Sequence, residues 1–118
     1  MARNEFKDWE GFGNRVKMNR KMLGLTREKL AEMIDRTENY LLSLEKGDKS
    51  CSVHTVHQLS KALRVSTDTL LYGNKVKEKD YSDKEIIENI INRCNSEELK
   101  VIKNVIVAIY PDFNDIVK

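Results

Sequence analysis

The sequence predicts an all-α protein. Helix-forming residues dominate its 118 positions, which include a single Pro, five Gly and few aromatic residues. No run of β-branched or aromatic residues is bounded by turn signals, as the strands of a sheet would be. Apolar residues instead recur at the three- and four-residue spacing of a helix face. We therefore expect five helices in residues 1–73 and two more in residues 82–118, joined by a linker over residues 74–81.

The first full helix is predicted over about residues 13–23, because Gly24 supplies a stop signal. A short helical lead-in over residues 2–10 precedes it, since Phe6 and Trp9 are three residues apart. We expect both rings to pack on the domain. The alternative is an aromatic ligand cage, but no acidic or metal-binding residues are arranged around these two rings.

Two short helices follow within residues 25–47. Thr26 is a suitable N-cap for the first helix and Thr37 for the second. Only two residues lie between Ile34, at the end of the first helix, and the Thr37 cap. This turn is too short for the helices to run antiparallel, so they must cross steeply. The pattern is typical of a helix-turn-helix, whose second helix can enter a DNA major groove.

A fourth helix is predicted after the Ser52 cap, with Val53 on its apolar face, and a short fifth helix after Ser66. Residues 74–80 are charged and show no periodicity. They indicate either a linker or a frayed extension of the fifth helix.

Residues 82–118 are expected to form a helical hairpin, in which Ser82 caps the first helix, Asn95-Ser96 breaks and recaps the chain, and Ser96 opens the last helix. Residues 105–109 are apolar all round, which a helix tolerates only where more than one face is covered. A two-helix hairpin cannot cover that surface, so we expect this segment to dimerise or to dock another protein. The predicted dimerisation residues are Ile90, Ile91, Ile102, Val105, Ile106 and Ile109.

A longer pattern of residues is more specific than the turn alone. It consists of Phe12-Gly13, Arg15-Val16, Arg20, Gly24-Leu25-Thr26, Glu28, Leu30-Ala31-Glu32, Ile34, Tyr40-Leu41, Leu44-Glu45, Gly47, Ser52, Leu59, Ala62-Leu63, Val65-Ser66, Asp68 and Leu70-Leu71. With this ungapped pattern the chain resembles the Cro/repressor-type, or XRE-type, helix-turn-helix domains of transcriptional regulators. The resemblance implies a five-helix repressor-like DNA-binding domain over residues 1–73, with the helix-turn-helix at residues 26–46, and an ion pair between Arg20 and Glu45.

The sequence shows three departures in this motif, one of which is Glu38, whose negative charge would lie near the DNA phosphates. Asp35 stands where the family usually has Gly, and we expect it to adopt the left-handed conformation, which Asp tolerates better than most residues. Leu42 stands where the family usually has a polar residue. It would either touch a thymine methyl group or extend the core.

The predicted recognition helix, residues 37–46, would present its first side chains to base edges. Asn39 can bond to adenine N6 and N7, and Glu38 can accept from cytosine N4. The other predicted DNA-binding residues are Thr37 and Ser43 for bases and Arg27, Lys46 and Lys49 for phosphates. Charge is distributed accordingly, since residues 1–73 carry 13 Lys and Arg against 10 Asp and Glu, whereas residues 74–118 carry 8 against 9.

A zinc site is the alternative from another class of function. Cys51 precedes two histidines, His54 and His57, that lie one turn apart on the fourth helix. No fourth ligand is near in sequence, and two histidines on a helix surface are usually solvated. We therefore expect Cys51 and Cys94 to be free thiols and predict no metal and no cofactor.

The sequence gives no indication of an enzyme, because it pairs no nucleophile with a base and has no Gly-rich phosphate loop. No apolar stretch reaches the length of a membrane span, and the first residues lack a signal-peptide core. We therefore expect a cytoplasmic protein without membrane contact. The sequence predicts a transcriptional regulator, expected to repress from a palindromic operator as a homodimer. The alternative is a protein-interaction module, antitoxin-like or an adaptor, that uses its C-terminal helices.

Overall fold

The computed structural model describes residues 5–113. The ends of the two predicted domains, residues 1–4 and 114–118, lie outside this range. The all-α prediction is confirmed, since residues 5–113 form seven helices and a short 3₁₀ turn and contain no strand. The helices are α1 (Trp9–Met22), α2 (Arg27–Met33), α3 (Glu38–Glu45), α4 (Val53–Leu63), α5 (Thr67–Tyr72), α6 (Asp83–Asn92) and α7 (Ser96–Ile109), and the turn is Tyr110–Asp112.

Each of the seven helices begins at a polar side chain that accepts a backbone N–H of its first turn. These N-caps are Asp8, Thr26, Thr37, Ser52, Ser66, Ser82 and Asn95. Such caps provide hydrogen-bond acceptors for N–H groups that have no partner within the helix. The start of each helix is therefore determined by residues close to it in the sequence.

Helix α1 lies at the centre of the fold and packs against α3, α4, α5 and α6. Its contact with α3 is unusually close at Gly13, where a Cβ atom would lie 2.3 Å from the carbonyl oxygen of Leu44. Only glycine allows the two backbones to approach so closely. The core between the helices is made of Phe12, Val16, Met18, Leu23, Leu30, Ala31, Ile34, Leu41, Leu44, Val56, Leu59, Leu63 and Leu70.

The start of α1 differs from the prediction. The helix begins at Trp9, not Gly13, because Asp8 Oδ1 accepts the Gly11 N–H at 3.0 Å. Phe6 precedes this helix, and residues 5–8 form no lead-in helix. The packing role predicted for the two rings is confirmed. Phe6 and Trp9 meet edge to face at 4.7 Å, and Trp9 meets the buried Phe12 at 5.3 Å.

One smaller prediction requires correction, and another is made more precise. Val53 is 86% exposed, because it lies roughly 90° around α4 from the centre of the buried face at 100° per residue. Ser96 is the first residue of α7, as expected, and the cap predicted at Asn95-Ser96 is Asn95. Asn95 Oδ1 accepts the Glu98 N–H, and the Glu98 carboxylate accepts the Asn95 N–H in return, which forms a capping box.

The predicted C-terminal hairpin is wrong, although the two helices are present. Helix α6 packs against α1 rather than along α7. Asn89 Nδ2 donates to the Met22 carbonyl at 3.1 Å, and Ile86 lies against Gly24, where an added Cβ would be 2.9 Å from its Cγ2. Because α6 lies against the five-helix domain, where Ile86 and Ile91 are half-buried, it does not pair with α7, and α7 leaves the domain on its own.

The segment between α5 and α6 is not a helical extension, which settles the choice left open by the sequence. Residues 74–82 have no regular structure. Two ion pairs connect the segment to α1, from Lys17 to Glu78 at 2.7 Å and from Lys21 to Asp80 at 2.6 Å. These pairs are exposed on the carboxylate side, so each contributes little stability.

Candidate nucleic-acid interface

The turn between α2 and α3 is closed by backbone bonds at Asp35. Its φ of 56° is left-handed, as expected for this position. The Arg36 N–H donates to the Ala31 carbonyl at 2.9 Å, and the Asp35 N–H donates to the Glu32 carbonyl at 3.1 Å. These two bonds form a Schellman-type end, which satisfies the last carbonyls of α2 and leads directly to the cap of α3.

The first residues of α3 are fully available to a ligand. Thr37 caps the helix by accepting the Tyr40 N–H at 3.1 Å. The side chains of Thr37, Glu38 and Asn39 are exposed, and Ser43, one turn later, is half-exposed. The structure therefore brings the four residues predicted to contact bases to one end and one side of this helix, whose opposite side carries the buried Leu41 and Leu44.

Cationic side chains lie at both ends of α3. Lys46, at the end of the helix, and Lys49, in the following loop, are both exposed. The Lys49 ammonium lies 5.2 Å from the centre of the Tyr40 ring, and the Arg36 guanidinium carbon lies 4.6 Å from the same centre. Within residues 5–113, none of these three cations forms an ion pair, so their charge is free to meet phosphate.

Arg36 and Tyr40 were missed by the sequence reasoning. Arg36 is held in place because its Nη2 also donates to Thr55 Oγ1 at 3.2 Å. The spacing of four residues between Arg36 and Tyr40 is the signal that would have suggested their contact. The contact of Lys49 with the same ring depends on the path of the loop and has no such local signal.

The recognition helix is attached to α1 by a buried ion pair. Arg20 Nε donates to Glu45 Oε2 at 2.7 Å and Arg20 Nη2 to Glu45 Oε1 at 3.1 Å, in the expected pairing. Arg27 Nε also donates to Glu45 Oε1, at 3.2 Å. Arg27 was predicted to bind phosphate, and the structure gives it an internal partner as well. Helices α1, α2 and α3 thus meet at one carboxylate.

Leu42 is half-buried and lines a shallow depression between α1 and α3, together with Glu10 and Asn14 of α1. Of the two roles considered for this leucine, its position favours packing between helices over contact with a thymine methyl group.

The zinc alternative finds no support in the geometry. His54 and His57 are exposed and Cys51 is half-buried, and all three line an apolar groove with Trp9 and Tyr72. Burial raises the pKa of the Cys51 thiol to about 11, against the opposing effect of Arg36. No His, Cys, Asp and Glu side chains within residues 5–113 group as a metal site.

The predicted dimerisation residues lie on two different surfaces. Ile90 and Ile91 are on α6, the first exposed and the second half-buried. The other four are on α7, where Ile102 is half-buried and none is buried. Helix α7 carries a stripe at the three- and four-residue spacing of a coiled coil. This stripe consists of Leu99, Ile102, Ile106 and Ile109, and Phe113 follows at the same spacing just beyond the 3₁₀ turn. No helix within the described residues has the length and apolar composition needed to cross a membrane.

Comparison with known proteins points to the same region. The helix-turn-helix family model HTH_3 matches residues 16–70. An uncharacterised HTH-type transcriptional regulator of Methanothermobacter thermautotrophicus is 42% identical over 48 residues, which are 41% of this chain and 70% of that protein.

Two solved structures are similar to this one. The restriction-modification controller protein C.AhdI from Aeromonas hydrophila superposes with a TM-score of 0.52 and 28% identity, covering 53% of this chain and 96% of its own. A transcriptional regulator from Listeria innocua covers 83% of this chain and 91% of its own, with a TM-score of 0.48 and 17% identity.

Proposed function

This chain belongs to the XRE-type helix-turn-helix family of transcriptional regulators, and we propose that it is a repressor that binds a palindromic operator as a homodimer. The observation that carries the proposal is the exposed N-terminal end of α3, where three polar side chains stand beside unpaired cations. A repressor needs only to occupy the promoter, so repression requires no activity other than DNA binding.

We assign base recognition to the first turn and a half of α3. Asn39 would donate from Nδ2 to adenine N7 and accept at Oδ1 from the adenine N6 amino group, which is the bidentate arrangement that its amide allows. Glu38 would accept from cytosine N4, and Thr37 and Ser43 would contact neighbouring positions. Each good bidentate contact is worth about 1–3 kcal/mol of discrimination between bases.

We assign phosphate binding to the cations around this helix. Lys46 and Lys49 are the residues predicted from the sequence, and Arg36 joins them because it shares the Tyr40 ring with Lys49. Arg27 would contribute less, since its Nε is engaged by Glu45. These contacts position the helix and supply affinity without reading the sequence.

The two-fold symmetry of the operator would follow from dimerisation through the apolar surfaces of α6 and α7. A symmetric dimer presents two copies of α3, which would enter successive major grooves about 34 Å apart. The coiled-coil spacing along α7 and the absence of any buried residue in this helix support such an interface.

The proposal is tested by selection from random duplex DNA at a fixed salt concentration, followed by titration of the enriched sequence. We expect a palindrome. Asn39→Ala should lose preference at one position of each half-site, whereas Lys46→Ala should weaken binding to all sequences and lower the salt slope by about one. Lys103→Ala, on α7 away from the recognition helix, is the matched control.

Failure to enrich any sequence would overturn the proposal. Binding would then stay at the non-specific level of about 10⁻⁵ M at physiological salt. Together with unchanged behaviour of the Asn39→Ala and Lys46→Ala variants, that outcome would favour the alternative, a protein-interaction module that keeps the fold.

A further inference from the structure

The corner between α6 and α7 is tied to the DNA-binding domain by Arg93. This half-buried residue ends α6, and its Nη1 donates to the Leu63 carbonyl at 2.8 Å, at the end of α4. Its Nη2 donates to Asn19 Oδ1 on α1 at 3.0 Å and lies 3.4 Å from the Met22 sulfur. One guanidinium therefore joins the corner to two helices of the domain.

A second tie joins the domain directly to the start of α7. Arg64, in a left-handed conformation at the end of α4, donates through both terminal nitrogens to the two oxygens of Glu98, at 2.6 and 2.5 Å. Glu98 is the residue that also accepts the Asn95 N–H in the capping box of α7. The same Arg64 nitrogen Nη1 lies 3.3 Å from the Arg93 carbonyl oxygen. The two ties thus meet at one point.

We propose that Arg93 and the Arg64–Glu98 pair form a clamp that fixes the direction in which α7 leaves the DNA-binding domain, and thereby sets the operator spacing that the dimer accepts. The spacing part of this inference rests on the proposed homodimer. No residue of α7 is buried, so contacts between the length of this helix and the rest of the same chain do not fix its direction.

The required rigidity can be estimated from dimensions. Helix α7 has 14 residues and is therefore about 21 Å long at 1.5 Å per residue. A rotation of roughly 10° at its first turn would move its far end by about 4 Å, which is close to the 3.4 Å rise of one base pair. Discrimination of a single base pair of spacing thus requires a corner that is held to about this angle. A bidentate Arg–carboxylate pair supplies such geometric restraint.

The clamp is tested first without DNA, by the distance between spin labels on α4 and α7. Labels are placed through His57→Cys and Lys103→Cys in the full chain, with Cys51 and Cys94 replaced by Ser, and labelled protein is diluted with unlabelled protein. We expect one narrow distance distribution for this background and a distribution at least twice as wide after Arg64→Glu. Lys61→Glu makes the same charge change on the same helix and should leave the width unchanged. Equal widths in the background and the Arg64→Glu protein overturn the clamp.

The pair itself is isolated by a charge exchange. Glu98→Arg loses both the pair and the capping box, whereas Arg64→Glu combined with Glu98→Arg restores opposite charges without restoring the capping box. A narrower distribution in the double variant than in either single variant assigns the restraint to the pair. No recovery in the double variant overturns that assignment.

The spacing role is tested with duplexes in which the selected half-sites are moved apart or together by one and two base pairs. The original protein should prefer the selected spacing by about tenfold or more, and Arg64→Glu should reduce this preference to threefold or less while binding a single half-site normally. An unchanged spacing profile overturns the role. If selection enriches no palindrome, the proposed function and the spacing role fail together, and the label distances alone decide whether the clamp exists.

Discussion

Glu45 lies in the last turn of α3 with its side chain almost fully buried, and it accepts hydrogen bonds from Arg20 and Arg27. The two arginines differ in environment, because Arg20 is buried with it and Arg27 is more exposed. A buried charge that loses its partner pays the cost of desolvation without compensation. The orientation of the recognition helix therefore depends on a carboxylate that does not itself reach DNA.

We predict that Glu45→Gln lowers the free energy of unfolding by about 3 kcal/mol, because it leaves the buried Arg20 cation without an anion. Arg27→Met should cost about 1 kcal/mol or less, since Glu45 keeps its two bonds from Arg20. Urea unfolding followed by the fluorescence of Trp9, the single tryptophan, measures both changes. Equal losses in the two variants would contradict the assignment of the main interaction to Arg20.

At the scale of single residues, the sequence was most informative where a side chain acts on its own backbone. The caps at Thr26, Thr37, Ser52, Ser66 and Ser82 could be predicted because each bond closes within three residues. The contact of Lys49 with Tyr40 could not, because it depends on how the loop after α3 folds back. Family resemblance supplied the Arg20–Glu45 pair, which no local rule predicts across 25 positions.

At the scale of elements, the start of α6 is set by a capping box between Ser82 and Glu85. The Lys79 ammonium bonds to the same carboxylate, and together with the backbone N–H of Ser82 it lowers the pKa of Glu85 from 4.5 to about 2. A carboxyl whose pKa is lower in the folded protein stabilises the fold at pH values above its unfolded pKa.

We predict that the stabilising effect of Glu85 is constant above about pH 5.5 and disappears as the pH falls from 4.5 towards 2. Urea unfolding across this range measures the free energy of unfolding of the original protein and of Glu85→Gln. The difference between these two free energies should shrink only at acid pH. Glu88→Gln changes an exposed carboxylate of the same helix outside the capping box and is the control. If the difference in free energy of unfolding does not vary with pH, the charge of the Glu85 carboxylate does not stabilise this helix start.

Elements could be predicted more reliably than their packing. All seven helices were expected from caps and periodicity, but the hairpin of the last two was not formed, since α6 packs against α1. The position of α6 depends on hydrogen bonds from Asn89 and Arg93 to the backbone carbonyls of Met22 and Leu63, which are distant in sequence. No local sequence pattern predicts that these two polar side chains hold α6 against the domain.

The whole molecule is elongated because α7 extends from a compact domain. Its Cα radius of gyration is 17.0 Å and its extents are 66 × 28 × 26 Å, whereas a compact domain of about 100 residues has a radius of about 13 Å. An apolar helix that projects in this way exposes surface that soluble proteins rarely leave uncovered. A second copy, placed by two-fold symmetry, would cover the same stripe on both partners at once.

We predict that Ile106→Asp raises the dissociation constant of the dimer by about a hundredfold or more, because each partner would bury an unpaired carboxylate in the stripe. Sedimentation velocity at micromolar concentration should show dimers for the original chain and monomers for the variant. Asn104→Asp adds the same charge on the polar side of α7 and should leave the dimer intact.

The Ile106→Asp variant should also change DNA binding in a specific way. Since residue 106 is far from α3 in the chain, this variant should still bind one half-site and should lose only the extra affinity that comes from binding two half-sites at once. A variant that keeps full affinity for the palindrome would place the dimer interface elsewhere, and a wild-type monomer would leave the stripe to a different protein partner.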